Sequence, residues 1–489
     1  MTRDTAPHTS SLNSDPLSTT NPPEHWVKRE DALPPKMSSI HAARCLLGST
    51  VKSTRAVAVG RTYATKQVVA GRSLAQKTKS SSFRPSRRND AGGEGSAKKE
   101  RSTGAFQTMS PTSLTAEIFK DRGADELVLP TFRPEALTQD KVATAMKFPV
   151  ADTNPMRAFG LPKNIATEFQ LLSKPFSVIR DVTLKVLGRL DSANNKSSFH
   201  SRMVLTGSQG CGKSYTLLQA VQYAAASNWL VFYFPYVIDT VNSSTSYTYD
   251  PRTKTYLQPA YAAQTLQNFL TANSRLLQEL KTPGDVPIDG RAPIQGGTPL
   301  TELITIGAKD PSSAPAILSA LMGILSKQTD YPVLLAIDAF QALYCKTSYK
   351  DPQFSTIKSY HLSMPRLLLE YASGKKSFAR GAVIGALSAS NTTFSAPIEL
   401  RESLKLGNGT ANSYIKRSPV LVSYAEGLTK ITVPEALSER EAASLFDVWM
   451  KDKAISRDSG DELFMSKYSE AGGNPRDFVW KGFLATITL

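Results

Sequence analysis

Cysteine is almost absent from this sequence. The only three, Cys45, Cys211 and Cys345, are widely scattered and form no C-x-x-C pair. That excludes a disulfide framework and points to a reducing compartment. Histidine is nearly as rare, with five residues in no ligand-like spacing, so a structural metal centre is not expected. No run of eighteen or more apolar residues occurs, which argues against a membrane-spanning helix. Acidic residues fall short of basic ones, 42 against 58, leaving a formal net charge of +16. Such an excess favours polyanionic partners and says little about fold. What the chain does have is length and apolar content: 489 residues, 40% of them hydrophobic, enough for a sizeable core.

The shortage of acids is sharpest near the N-terminus. Residues 1–36 are rich in Pro, Ser and Thr and show no convincing element. Residues 37–63 carry Arg44, Lys52, Arg55 and Arg61 without a single Asp or Glu. Ile40, Ala43, Leu46, Leu47 and Val51 can share one helical face there. This is the composition of a mitochondrial transit peptide, and Arg61-Thr62-Tyr63-Ala64 resembles a matrix-peptidase site cleaved after Tyr63. Because such signals normally begin a chain, Met37 is a candidate start, which makes residues 1–36 an upstream extension; the alternative is a disordered tail. Residues 64–105 form a basic arm, rich in Ser and Gly, expected to be disordered when free. It reads as a solvated linker or as an arm that neutralises RNA phosphates. Phe83 is its only aromatic, so base stacking there would be minor.

The most specific signal lies mid-chain. GSQGCGKS, from Gly207 to Ser214, fits G-x-x-x-x-G-K-[ST], the loop that cradles phosphates. Apolar Met203, Val204 and Leu205 precede it as a strand; Lys213 to Ala226 follow as a helix. Gly207, Gly210 and Gly212 would let backbone N–H groups close around phosphate oxygens. The helix N-terminus adds partial positive charge. Lys213 would reach the terminal phosphates and Ser214 would hold Mg²⁺. Cys211 and Tyr215 complete the candidate loop set.

Around this loop the pattern alternates. Residues 106–175 are mixed and interrupted by Pro, suited to wrapping the core or touching a partner. Pro175 to Leu190 reads as a helix and Trp229 to Phe234 as a strand. Val241 to Tyr261, rich in Tyr, reads as an irregular insertion or hairpin. Ala262 to Leu280 is an amphipathic helix, followed by a loop over Pro283 to Pro299 and a helix over Pro315 to Gln328. Val333 to Ile337 and Ala382 to Leu387 are buried strands flanking a helix at Leu362 to Ser373; Pro419 to Ser423 reads as the last parallel strand. Alternation of this kind implies a parallel sheet covered by helices. From Glu435 the pattern turns helical: Ser438 and Glu441 form a capping box, and further helices are expected over Leu463 to Ala471 and Asp477 to Ile487.

A phosphate loop needs a carboxylate near its Mg²⁺. Asp338 ends the apolar run VLLAID, where a sheet presents ligands, although an Asp there also caps turns. The next residue is Ala339, where many ATPases with helical lids carry the Glu that polarises the attacking water. Glu370, Glu399 and Glu402 have no spacing that recommends them as substitutes, so binding with weak or no hydrolysis is expected. Ser388, Ser390 and Asn391 follow a strand and suit either a γ-phosphate contact or ordinary turn chemistry. Arg476, in GGNPRDF, projects from the lid toward the phosphates or simply starts a helix. No N-K-x-D base-reading motif is present.

GSQGCGKS, NWLVFYFP, the Leu-rich helix ending at Leu280, LLAIDAFQALY, ARGAVIGALSAS and the final GNP segment occur in that order. Together they resemble the death-associated protein 3 family of mitochondrial small-ribosomal-subunit proteins, from about Phe176 to the C-terminus. The resemblance implies a P-loop NTPase fold of AAA+/STAND-like type, a parallel sheet flanked by helices with a C-terminal helical lid. It implies a matrix protein in the head of the mitochondrial small subunit, with small-subunit proteins and rRNA as partners and contacts across the large-subunit interface. It also implies a bound guanine nucleotide, GTP or GDP, with Mg²⁺; ATP stays open. The family's phosphate and Mg²⁺ roles fall on Gly210, Gly212, Lys213, Ser214 and Asp338, and Ala339 matches the family's lack of a Glu. The expected division is an extended segment 106–175, a nucleotide domain 176–434 and a lid 435–489. Rivals are an active ATPase or GTPase switch, and a free RNA-binding protein with a vestigial loop.

Overall fold

The computed structural model describes residues 127–287, 293–407, 412, 414–455 and 460–486. The expected transit peptide, the basic arm, the start of the 106–175 segment and Ile487 lie outside them.

The extended segment wraps. Strand β1 (Ala145–Lys147) is followed by α1 (Pro155–Phe159), which Asn154 caps by accepting from the Met156 amide. Helix α2 (Lys163–Leu171) leads to β2 (Phe176–Val178), which pairs antiparallel with β1. Here the expected helix over Pro175 to Leu190 starts late: Phe176–Val178 is strand, and the helix is α3, Asp181–Ala193. The Pro opens an extended stretch, and Asp181 suits a helix's first turn.

Apolar runs then build the sheet. Strand β3 (Arg202–Thr206) feeds the glycine loop and α4 (Lys213–Ala226); β4 (Leu230–Phe234) follows. A hairpin of β5 (Thr248–Asp250) and β6 (Thr255–Leu257) precedes α5 (Pro259–Leu277). Helix α6 (Leu300–Lys309) is an element the sequence reading did not anticipate; α7 (Ala314–Lys327) follows it. Strand β7 (Val333–Asp338) is succeeded by a short ribbon, β8 (Lys346–Lys350) against β9 (Thr356–Lys358). Next come α8 (Ser363–Ala372), β10 (Gly381–Ala386) and α9 (Ile398–Ser403).

Pro419 to Ser423 is not a strand. It belongs to helix α10 (Pro419–Ala425), with Pro at the first helical position, where its missing N–H costs nothing. The last parallel strand is β11 (Thr429–Thr432), of which only Ile431 is buried. An edge strand needs fewer apolar residues than a short helix packed on the core, so the apolar run misled. Two lid helices, α11 (Glu439–Lys451) and α12 (Asp461–Glu470), follow. The expected third helix begins at Pro475–Asp477 and widens into a π-turn over Phe478–Phe483.

The five main strands are parallel, in the order β11-β3-β10-β7-β4. Alternate residues serve opposite cores, as a two-residue period requires. Val333, Leu335 and Ile337 join one cluster with α5, α6 and α7; Leu334 and Ala336 join the other with α3 and α4. With both faces covered, β3, β4, β7 and β10 are buried throughout. The open edge of β4 is closed by a side chain. Asn273, at a kink in α5, accepts from the Val231 amide at 2.8 Å and donates to its carbonyl at 3.1 Å.

Phe132, Met146 and Phe148 pack into the α3/α4 core. A third cluster joins Leu127, Ala145, Leu172 and Phe176 to Trp449, Phe478 and Phe483 of the lid. Trp449 is fully buried, and such a side chain stabilises by about 3 kcal/mol or more. The wrapping segment therefore supplies the floor on which the lid sits.

Candidate functional site

The glycine loop opens at the carboxyl end of β3. Gly207, Gly210 and Gly212 have φ of 149°, 83° and 97°, a region that disfavours side chains. Their surroundings are also closed to one. A Cβ on Gly210 would lie 2.4 Å from Asn474 Oδ1, and one on Gly207 2.8 Å from the Val433 carbonyl oxygen. A Cβ on Gly212 would stand 3.3 Å from Arg180 Nη1. The loop is a cradle lined by backbone.

Lys213 is buried, and its Nζ donates to the Gly207 carbonyl at 3.0 Å and to that of Ser208. The Ser208 hydroxyl is buried with no partner inside the protein. Ser214 and Asp338 line the same cleft, and Asp338 Oδ1 accepts from the Ala339 amide at 2.8 Å. Burial pushes the Asp338 carboxyl up to about 6, against the opposing pull of Ser214, Ala339 and Lys213. The two halves of the sequence motif, Lys213–Ser214 and Asp338, thus meet at one point. Ala339 adopts a left-handed φ of 53° and is buried in the core.

The lid closes over the loop by donating to the loop's backbone carbonyls. Asn474 Nδ2 donates to the Gln209 carbonyl at 2.9 Å, and the Arg476 amide donates to the Gly210 carbonyl at 3.2 Å. Arg180, just before α3, is the hub the sequence reading missed. Its guanidinium donates to the carbonyls of Cys211 at 2.7 Å and Ala436 at 2.9 Å. It also lies 3.4 Å from the buried Glu441 carboxylate. Glu441 completes the expected capping box with Ser438. One buried cation therefore ties loop, lid entry and lid helix together. No spacing rule announces such a residue.

A cavity of about 720 Å³ lies between loop and lid. Gly210, Gly212, Lys213, Ser214, Tyr215, Asp338, Ser388 and Arg476 line it; Gly207 and Cys211 do not. The Cys211 side chain faces the core beneath the loop, where its Sγ accepts from Lys213 Nζ at 3.5 Å. Tyr215 directs its hydroxyl to Glu168, a buried acid that also accepts from Trp480 Nε1 at 2.7 Å. Burial raises the Glu168 pKa; the Tyr215 and Trp480 hydrogen bonds and the Arg476 charge oppose the rise. Ser388 is held by Gln341, whose Oε1 accepts from its amide at 3.0 Å, while Asn391 accepts from the Thr393 amide in turn chemistry. The far end of the cavity is apolar, walled by Ile165, Leu172, Phe176, Leu445, Trp449 and Val479.

Three acids considered from sequence lie elsewhere. Glu370 pairs with Arg366 and Lys376, Glu399 caps Ser418, and Glu402 pairs with Arg417. Asp239 does line the cavity, past the end of β4, with its pKa raised by burial. Nothing in its local sequence distinguishes it from a turn residue. Cys211 and Cys345 are unpaired thiols; among the described residues no group of three or more His, Cys, Asp or Glu forms a metal cluster, and no helix is long and apolar enough to cross a membrane.

Fold and site together define an α/β protein in which a helical lid closes over a glycine-lined loop at the carboxyl end of a parallel sheet. Residues 177–480 match the family described as mitochondrial ribosomal death-associated protein 3, and the chain belongs to that family. A similar protein of Neurospora crassa, small ribosomal subunit protein mS29, is 26% identical over 363 residues, covering 70% of this chain and 75% of that protein. The protein of the same name from Schizosaccharomyces pombe is 25% identical, covering 68% of this chain and 69% of its own length. That of Mus musculus is 24% identical over 278 residues, covering 56% and 70%.

Proposed function

We propose that this chain is a structural protein of the mitochondrial small ribosomal subunit that uses a clasped purine nucleotide, with Mg²⁺, as internal glue. Ribosomal membership follows the family and the names its relatives carry. The nucleotide reading rests on one observation: the Lys213 ammonium and the Ser214–Asp338 pair converge beneath a lid hydrogen-bonded to the same loop. A P-loop NTPase fold is the reading that the glycine loop, the five-stranded parallel sheet and the helical lid support. Backbone amides would take phosphate oxygens, and Lys213 would exchange its two carbonyl partners for the terminal phosphates. The orphaned Ser208 hydroxyl would gain a partner. Ser214 and Asp338 would hold Mg²⁺, which supplies charge neutralisation when bound. The apolar end suits a purine, and GTP or GDP is the proposed ligand, with ATP the alternative base.

A nucleotide held this way adds stability by mass action. Ala339 offers no carboxylate to activate water, and the closed lid opposes exchange, so turnover is negligible. Two measurements test the reading. Mitochondrial ribosomes are fractionated and the small subunit probed for the chain; absence from it defeats the ribosomal assignment. Nucleotide is then released from the recovered protein and quantified; less than a tenth of an equivalent defeats the glue. Asp239 favours one second reading, a slow hydrolase with that carboxylate facing the substrate. It predicts multiple turnovers abolished by Asp239→Asn.

A further inference from the structure

The ribbon β8–β9 carries three lysines that pair with no carboxylate among the described residues. Its burial alternates strictly: Thr347, Tyr349 and Ile357 face inward, while Lys346, Lys350 and Lys358 face out. The inner face is fixed. Tyr349 packs edge-on against Tyr247 of the neighbouring hairpin at 5.8 Å, and Tyr247 donates from its hydroxyl to the Lys350 carbonyl at 2.6 Å. Ile357 and Leu362 complete that small core.

The outer face works against itself. Lys346 stands directly opposite Lys358 in the strand register, and like charges in that position destabilise a ribbon. Among the described residues no carboxylate forms an ion pair with Lys346, Lys350 or Lys358; Lys350 Nζ bonds only the Thr356 hydroxyl, and Lys358 lies 5.7 Å over the Tyr360 ring. The nearby acids are otherwise engaged: Asp351 caps the amides of Gln353 and Ser355, and Asp250 holds Arg252 and Thr253. At the tip of the turn Phe354 is 85% exposed and held at a φ of 60°. A large apolar ring, kept in water on a strained backbone beside a row of unneutralised lysines, has no structural use within this chain.

We propose that the β8–β9 ribbon is an RNA-docking face, with Lys346, Lys350 and Lys358 on consecutive phosphates and Phe354 stacked on an unpaired base. Charge complementarity selects a polyanion, and the exposed ring selects one that offers flat unstacked faces, which single-stranded RNA does and an acidic protein surface does not. The tyrosine core beneath keeps the ribbon rigid, so little ordering entropy opposes docking. This inference rests on the ribosomal reading above only for the identity of the RNA; the surface itself stands without it.

The test uses the full chain and a fluorescein-labelled RNA stem-loop with a ten-nucleotide unpaired loop, titrated by anisotropy from 50 to 300 mM KCl. Lys346→Gln/Lys350→Gln/Lys358→Gln is expected to bind at least tenfold more weakly at 100 mM KCl. Its log–log salt slope should be shallower by about two, three phosphates at roughly 0.7 each. Phe354→Ala is expected to weaken binding about tenfold with the slope unchanged, as loss of one stacked base requires. With 4-thiouridine in the loop, ultraviolet crosslinks should fall within residues 346–358. All four positions are exposed, so unchanged melting temperatures will show that the variants fold. Wild-type affinity and slope in the triple variant would overturn the proposal, whether or not an acidic protein then proves to need those lysines. Failure of the chain to sediment with the small subunit would defeat the ribosomal reading and leave these titrations to stand or fall alone.

Discussion

The cleft and the ribbon both gather positive charge, and they do so in opposite ways. In the cleft Arg180 and Lys213 are buried, and each donates to loop carbonyls. On the ribbon Lys346 and Lys358 face one another in water with no acid between them. Buried, partnered charge is costly to disturb and barely sensed by salt; exposed, unpaired charge contributes little to folding and responds steeply to salt. The first arrangement suits one small anion held for long periods, the second a long polyanion met at a surface.

That contrast can be broken most forcefully at Arg180. Arg180→Ala would leave Glu441 buried without its ion-pair partner and strip donors from three carbonyls, those of Cys211, Pro434 and Ala436, so urea unfolding should show a loss of about 3–5 kcal/mol. The control Lys451→Ala breaks an exposed pair with Asp447 and should cost under about 1 kcal/mol. Equal losses would dissolve the distinction between the two kinds of charge. Next in size, Lys213→Ala should weaken GTP binding about a hundredfold by calorimetry while the circular dichroism spectrum holds, since it removes a charged donor rather than a packing group. GTP affinity in the wild type should also drop far less between 50 and 300 mM KCl than RNA affinity does.

Smaller effects sharpen the cleft's side of the comparison. Ala339→Gly relieves a left-handed alanine and should raise stability by about 0.5 kcal/mol in thermal unfolding, the gain in strain offset by the freer unfolded chain. A loss would mean that the buried methyl matters more than the backbone. The smallest signal is a slope. Glu168 titrates above its ordinary 4.5 in the fold, so its stabilising contribution is complete below that value and fades as pH rises through the folded pKa. Glu168→Gln cannot ionise. Its melting temperature should gain on the wild type as pH climbs from 4 to 7, and parallel curves would remove Glu168 from the account.

Much of the candidate site was legible before the fold was known, because a strand–glycine-turn–helix loop is a local device. Strand, glycine turn and helix are contiguous, and the left-handed glycines answer to steric limits that operate over a few residues. Asp338 was legible for the same reason, standing at the end of an apolar run. The lid's capping box at Ser438 and Glu441 needed only a three-residue offset. Reading failed where two local states are nearly equal. Pro419 to Ala425 is apolar enough for a strand and short enough to be a helix, and only its packing beside α8 and α9 resolves it. Glu168, too, sits among residues that announce nothing.

By itself, then, the sequence determined the parallel sheet, the position of the loop and its acid, and the family, all of which follow from short-range pattern and residue order. The tertiary structure alone decided that Arg180 joins loop to lid, that Asn273 seals a sheet edge, and that three lysines share one face of a ribbon. The first two are contacts between residues tens to hundreds of positions apart, and the lysines face the same way only because two strands pair in register. Their energies depend on burial and register, which no local stretch of sequence carries.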